Sequence, residues 1–408
     1  MIFRLIWRSR SNPAYRQRIF ERIGFVNVES NKPIIWVHAV SVGETNAAQP
    51  LIEALILQYP DHKILVTTTT PTGSDRVKAL FGDRVAHVYF PYDLLEIVWR
   101  FIKRVKPKLL IVIETEIWPN LYAACHKNNI PIALVNARLS QRSTHKYLKI
   151  KPLVAETLGY IELIAVRSSA DSDRFKSLGA SDDQLSIAGN IKFDFEVSNK
   201  QIKQGEHWRK QLQNNGLVWV AASTHAGEDE KILAIYKNLQ EQFPTLLLIL
   251  IPRHPERFND VFQLCTALES ENIKTVRHSQ MDDYQNTQTN IILGDSMGEM
   301  QSWFAMADVV FMGGSLVETG GHNPLEAAVQ GVTVVSGPHM FNFDDVVNQL
   351  SNEGLLSVCE SEAELEEVVI HLFKQQSSHS DFKKKADDFM QQHRGVTARL
   401  MRLLFDIF

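Results

Sequence analysis

A few carboxylates and one glycine-rich loop carry the residue types and spacings that could do chemistry. Glu44 closes the stretch WVHAVSVGE, Trp36–Glu44, which runs apolar and extended, turns through Ser41, Val42 and Gly43, and delivers its carboxylate where a helical pattern begins (Ala47, Leu51, Ile52, Leu55, Ile56). A strand that ends in a glycine turn and opens a helix brings backbone N–H groups and side chains together beyond the strand end. These residues alone leave the role of Glu44 open, and a capped helix start explains it as well as any other. Its place at a helix start favours the ionised form. Glu114 and Glu116 of ETEIWPN follow an apolar run. Alternation puts them on one side if the strand persists, with Glu114 nearer the buried strand and costlier to leave unpaired. Helix capping and surface charge are the alternative for both.

The richest motif is GGSLVETGGHNPLEAA, Gly313–Ala328. Glycines including Gly320 and Gly321 permit close backbone approach. A helix expected from Asn323, with Pro324 in its first turn, offers free amides to a phosphate. Glu326 sits one turn on and suits a ribose diol; Glu318 and Glu326 stand in an E-x7-E spacing typical of nucleotide-sugar transferases. Packing alone is the competing explanation. No GxGxxG followed by an acidic residue occurs, which argues against a dinucleotide. In IPRHPERF, Arg253 suits a phosphate fork, and His254 either donates to the phosphate or caps a helix. Ser223, Thr224 and His225 of ASTHAGE read as phosphate donors or as caps. Met297 and Gly298 of GDSMGEM read as a base pocket or as a capped helix start. Weaker substrate contacts are expected from Ser41, from Thr69 in TTTTPTG, from Arg138 in NARLSQRS, which also holds Arg142, and from Lys192 in GNIKFD. HExxH, Cys/His groupings and GxSxG are missing, and the DxD at Asp171–Asp173 falls in an expected first helical turn. No metal is therefore expected, and phosphate charge falls to Arg, Lys and helix dipoles.

These residues stand at the ends of expected strands. In the first half, strands are expected at 34–38, 64–70, 85–90, 109–114, 132–136, 163–167 and 185–189, with helices between them. Near-continuous apolar strands such as KLLIVIE suit a parallel sheet covered on both faces. The sequence turns polar near 194–216. The pattern then restarts, with strands expected at 218–222, 246–251, 291–293, 309–312 and 332–335, and two helical stretches from about Ser361. The expectation is an α/β protein of two doubly wound domains: 1–196, a linker at 197–216, and 217–408 including the C-terminal helices. Two such domains in tandem leave an interdomain cleft facing the strand ends.

The 408 residues exceed one ordinary core. The net charge of −4 conceals a split: residues 1–196 carry 26 Lys+Arg and 19 Asp+Glu, the remainder 17 and 28. The basic excess is too mild for nucleic acid, and no stacking motif supports it. Three scattered cysteines suggest a reducing compartment. No apolar run is long enough to span a bilayer, and no signal peptide is visible. Between Met1 and Phe25, six arginines (4, 8, 10, 16, 18, 22) interleave with Ile2, Phe3, Leu5, Ile6, Trp7, Ile19, Phe20 and Phe25. That mixture reads as a segment on an anionic membrane surface, or as a surface helix packed on its own domain.

Taken together and in this order, WVHAVSVGE, ETEIWPN, NARLSQRS, GNIKFD, IPRHPERF and GGSLVETGGHNPLEAA closely resemble the 3-deoxy-D-manno-octulosonic acid (Kdo) transferases, over nearly the whole chain from Arg8. The resemblance implies a GT-B fold of two Rossmann-like domains and inverting transfer of Kdo from CMP-Kdo to a lipid A precursor (lipid IVA) in lipopolysaccharide synthesis. It implies the cytoplasmic face of the inner membrane of a Gram-negative-type cell. It carries the general base onto Glu44, a second essential carboxylate onto Glu114, and CMP contacts onto the Arg253 region and Asn323–Glu326. The implied partners are CMP-Kdo, the lipid A precursor and the anionic membrane surface, with no cofactor. Members of the family generally start with an apolar anchor, whereas this sequence opens at the basic stretch that follows it. A nucleotide-sugar 2-epimerase and a non-catalytic glycolipid-binding protein are the rival readings.

Overall fold

The structure, a computed structural model, describes residues 13–194, 197–212, 216–271, 273–281, 289–375 and 379–408. The basic stretch expected at the membrane therefore lies partly outside the described residues, as do Arg4, Arg8, Arg10 and Trp7 with their apolar neighbours.

The chain forms two compact units, Met1–Asp194 with His393–Phe408, and Phe195–Gln392. In the first, strands β1 (Ile34–His38), β2 (Lys63–Thr68), β3 (Ala86–Tyr89), β4 (Pro107–Ile113), β5 (Ile132–Ala137), β6 (Leu163–Val166) and β7 (Leu185–Ile187) build one sheet of order β3-β2-β1-β4-β5-β6-β7. All pairings are parallel. β1 is buried throughout, because Trp36 faces one core layer and Ile35 and Val37 face the other. That is why the strand reads as an unbroken apolar run. Trp36 Nε1 donates to Thr67 Oγ1 at 2.8 Å, satisfying the one polar atom its indole buries.

In the second unit, β8 (Val218–Thr224), β9 (Leu247–Pro252), β10 (Thr275–Arg277), β11 (Ile291–Leu293), β12 (Val309–Met312), β13 (Thr333–Ser336) and β14 (Leu356–Val358) form a parallel sheet of order β10-β11-β9-β8-β12-β13-β14. The edge strands β10 and β14 were not expected; each buries only its first residue, so neither shows an apolar run.

The expected domain limits differ from these units in two places. The polar stretch taken as a linker contains the helix Asn199–Gln211, whose buried Trp208 packs at a tilt against Trp303 of the second unit. The last helix, Val396–Phe405, belongs to the first unit. Val396, Leu400, Met401 and Leu404 complete the core layer formed by Ala48, Leu51 and Ile52. Asp194 holds its start by accepting from Gly395 N–H at 2.6 Å and from Thr397 N–H. Among the described residues, three helices, not two, follow Ser361.

Each sheet has a point where strand order reverses: between β1 and β4 in the first unit, and between β8 and β12 in the second. Connections leave in opposite directions there, so the loops beyond the carboxyl ends part and leave room for ligands.

Candidate active site

Both reversal points carry the chemistry-bearing residues singled out above. Glu44 follows β1, and Glu114 follows β4, its neighbour in the sheet. Ser41 caps the helix Val42–Gln58, and Glu44 is its third residue. Ser41 Oγ accepts from Glu44 N–H at 3.4 Å, and Glu44 Oε2 accepts from the N–H of Val40, the residue before the cap, at 2.7 Å. Ser41 Oγ also donates to Glu44 Oε1 at 3.2 Å. The capping alternative for Glu44 is thus real.

The environment nevertheless overturns the expectation that Glu44 is readily ionised. Burial pushes its carboxyl up to about 8, the charges of Glu114 and Glu116 add to the rise, and the Val40 N–H and Ser41 hydroxyl oppose it. The helix start loses to desolvation because only a short reach of backbone opposes the burial of a full charge.

Glu114 has a different setting. The strand ends at Ile113, and Glu114 takes a left-handed φ of 61°, so the expected alternation with Glu116 does not apply. Its N–H donates to Val135 O at 2.9 Å. Arg167, itself buried, donates to Glu114 Oε1 at 2.6 Å, and Arg138 lies 3.4 Å from Oε2. Two guanidinium groups thus pair with Glu114, one on each carboxylate oxygen. Arg138, expected to meet substrate, already has this partner. Glu116 resembles Glu44 more: burial pushes it up to about 7, with the Glu114 charge adding.

Among the weaker candidates, Thr69 Oγ1 donates to Val40 O at 3.1 Å, tying the loop after β2 to the loop that carries Glu44. Lys192 lies in the single turn Ile191–Phe193 that follows β7, where Asn190 caps it. Asn136 escaped the sequence reading as a site-shaping residue. It is fully buried with φ 54°, and its Oδ1 accepts from Ile191 N–H at 3.1 Å and Arg167 Nε at 3.1 Å. It joins the end of β5 to the Lys192 turn and orients the arginine that holds Glu114.

In the basic opening segment, Arg18 and Arg22 are tied into the first unit. Arg18 pairs with Glu21 at 2.6 Å and donates to His87 O at 2.8 Å. Arg22 is buried over the Tyr89 ring and donates to Thr69 O at 3.0 Å. The reading as a segment packed on its own domain holds for these two, while Phe20 remains 71% exposed. Among the described residues no helix is long and apolar enough to cross a membrane.

In the second unit, the loops after β8, β9, β11 and β12 carry the remaining candidates. Arg253 and His254 are exposed just past β9. Ser223 has a left-handed φ of 58°. Thr224 is buried and donates to Asp229 Oδ1 at 2.6 Å; Asp229 pairs in turn with Arg257. Its hydroxyl therefore serves the fold, a correction to its place among the phosphate donors. Met297 is 62% exposed, and Gly298 follows it with φ 86°.

The glycine loop also differs from expectation. The helix after it spans only Leu325–Ala328, with Asn323 Oδ1 accepting from Leu325 N–H, so its dipole is that of a single turn. A Cβ at Gly320 would run into Phe341 and Asn342, and one at Gly321 into Met340. These glycines are required by close approach of the chain to itself. Glu326 stands in the single turn, half-buried.

The residue that organises this loop is Glu228, which the sequence reading missed. It is fully buried. Its carboxylate accepts four backbone N–H groups: His225 at 2.8 Å, Gly314 at 2.7 Å, Ser315 at 3.0 Å and Leu316 at 2.9 Å. One side chain clamps the loops after β8 and β12 together. An acidic residue three positions past the STH triplet was the available signal.

Comparison with known proteins decides the family. A family model described as 3-deoxy-D-manno-octulosonic-acid transferase (kdotransferase) matches residues 17–195, and one described as glycosyl transferases group 1 matches residues 221–389. A 3-deoxy-D-manno-octulosonic acid transferase of Haemophilus influenzae is 43% identical over 97% of this chain and 92% of its own. That of Bordetella pertussis is 30% identical over the whole of this chain and 96% of its own. The chain belongs to the Kdo transferase family. It is a glycosyltransferase, and its two parallel-sheet domains are those of the GT-B fold. A Neisseria meningitidis UDP-GlcNAc 2-epimerase superposes with a TM-score of 0.58 at 12% identity, over 92% of this chain and all of its own. A Rickettsia africae glycosyltransferase gives 0.57 at 11%, over 93% and 99%. At such identities the likeness is one of fold. Among the described residues, no group of three or more His, Cys, Asp or Glu is placed to hold a metal ion.

Proposed function

We propose that this protein is an inverting, metal-independent transferase of lipopolysaccharide synthesis, moving Kdo from CMP-Kdo to the primary hydroxyl of a lipid A precursor such as lipid IVA at the cytoplasmic face of the inner membrane. Glu44 is the general base. Its carboxylate takes the acceptor's hydroxyl proton as that oxygen attacks the anomeric carbon, and CMP departs from the opposite face. One observation carries this: beyond β1 lies a carboxyl raised to about 8, acted on by the Glu114 carboxylate that Arg167 pairs with. Such a base is stronger than an ordinary glutamate, and it titrates near the pH at which it works.

The second unit holds CMP-Kdo. Arg253, with His254 and Ser223, meets the phosphate; Met297 and Gly298 line the base; Asn323 and Glu326 meet the ribose across Gly320 and Gly321. The exposure of Arg253 beyond β9 supports this assignment. Lys192 meets the Kdo carboxylate of the donor, and Thr69 stands on the acceptor side. The basic first half and exposed Phe20 support an anionic glycolipid and membrane surface as partners.

Incubation with CMP-Kdo and lipid IVA, followed by mass spectrometry of the lipid and NMR assignment of the new anomeric centre, tests the proposal. Inverted Kdo on the lipid with equimolar CMP is expected. Retained configuration, or CMP release without lipid modification, would overturn it.

A further inference from the structure

Beside the Glu228 clamp lies a pair of side chains to which the proposed chemistry gives no part. His225, after β8, and His322, after β12, meet with Nε2 to Nε2 at 2.9 Å. Their rings lie nearly parallel, 15° apart, with centroids at 5.2 Å. Two imidazole nitrogens at that distance need one proton between them: one ring donates and the other accepts. The neutral pair satisfies this, and so does the singly charged pair. The doubly charged pair sets two N–H groups against each other, so this geometry admits one added proton.

Among the described residues, the charged and titratable groups acting on the pair come from three loops. The β8 loop supplies Glu228. The β9 loop supplies Arg253, His254 and Arg257, with the His254 ring 5.4 Å from His225 and nearly perpendicular to it. The β12 loop supplies His322 itself. Burial pushes His322 down to about 3, with Arg253, His225 and His254 adding; burial also lowers His225, against the pull of Glu228. The resting pair is therefore neutral near pH 7. An anion at Arg253 reverses the sign of the local field and favours the charged pair.

We propose that His225 and His322 form a single-proton switch in the nucleotide phosphate site: binding of the phosphate draws one proton onto the pair, which then acts as one shared imidazolium facing the anion. This rests on the reading of the second unit as the CMP-Kdo site. The balance is simple. One solvent proton enters on binding and leaves with the nucleotide, and no covalent bond changes.

The test is calorimetry of CMP binding to the full chain at pH 7, in three buffers of different ionisation enthalpy. CMP is largely dianionic there, since a phosphomonoester loses its second proton near pH 6. The expected result is uptake of roughly 0.5–1 proton per CMP, falling below about 0.2 in His322→Asn and in His225→Asn, and persisting in His254→Gln. Binding with buffer-independent heat overturns the switch but leaves the donor site standing. Uptake lost in His254→Gln and kept in His322→Asn overturns the assignment to this pair. No binding of CMP at all overturns both readings.

Discussion

The two reversal points share a topology and use buried carboxylates in opposite ways. Beyond β8 and β12, Glu228 is fully buried, yet four N–H groups at 2.7–3.0 Å satisfy both its oxygens. Beyond β1 and β4, Glu44 is only half-buried, but Oε2 has one backbone donor and Oε1 a hydroxyl at 3.2 Å. The better-buried carboxylate is thus the better-served one, and it shapes a loop. The worse-served one keeps an unmet affinity for a proton, which is what a base needs. Hydrogen-bond satisfaction thus separates the Glu228 clamp from Glu44, the group proposed as the base.

The largest expected effect breaks the comparison at its functional end. Glu44→Gln keeps an acceptor for Val40 N–H and removes the base, so transfer should fall roughly 10²–10⁴-fold. Stability should move the other way. The folded carboxyl lies above its ordinary 4.5, so the stability it lends is present below that value and lost as pH rises through about 8. At pH 8.5 the variant should melt above the parent. A variant that retains half the transfer rate would remove Glu44 from the mechanism.

Glu228→Gln attacks the scaffold. The amide sets its NH2 toward two N–H groups, and about 2–4 kcal/mol of stability in urea titration should be lost, along with CMP binding. If CMP affinity is unchanged, the clamp does not shape the nucleotide loop.

The pH profile is subtler. In the parent, transfer should rise with pH and level off above about 8, following the ionisation of Glu44. Glu114→Gln removes a charge that raises Glu44, so the limb should move to lower pH, while the buried Arg167 loses its partner and stability falls. An unmoved limb would assign the titration to another group. The smallest effect is expected from Met297→Ala. At 62% exposure its stability change should stay within about 0.5 kcal/mol, while CMP affinity weakens a few-fold.

Much of this was legible beforehand. Each switch-point strand showed its apolar run, and each motif sat just past one, because strand ends and glycine turns are written in neighbouring residues. Glu44 was visible as a carboxylate opening a helix. Its elevated proton affinity was not, because that comes first from burial and then from Glu114 and Glu116, some seventy residues on. Thr224 and Arg138 looked available, since their partners Asp229 and Glu114 are fixed by side-chain direction. His322 drew no attention, as its meaning lies in His225, 97 positions away.

The sequence by itself determined two doubly wound domains, the strand ends that carry chemistry and the family. Period and turn chemistry are local, and a motif series is a property of order alone. Only the tertiary structure decided that the last helix returns to the first unit, that Glu228 rather than a helix dipole holds the glycine loop, and that Glu44 keeps its proton near neutrality. Each of these depends on desolvation and on donors brought together across long chain separations, and no window of neighbouring residues contains that information.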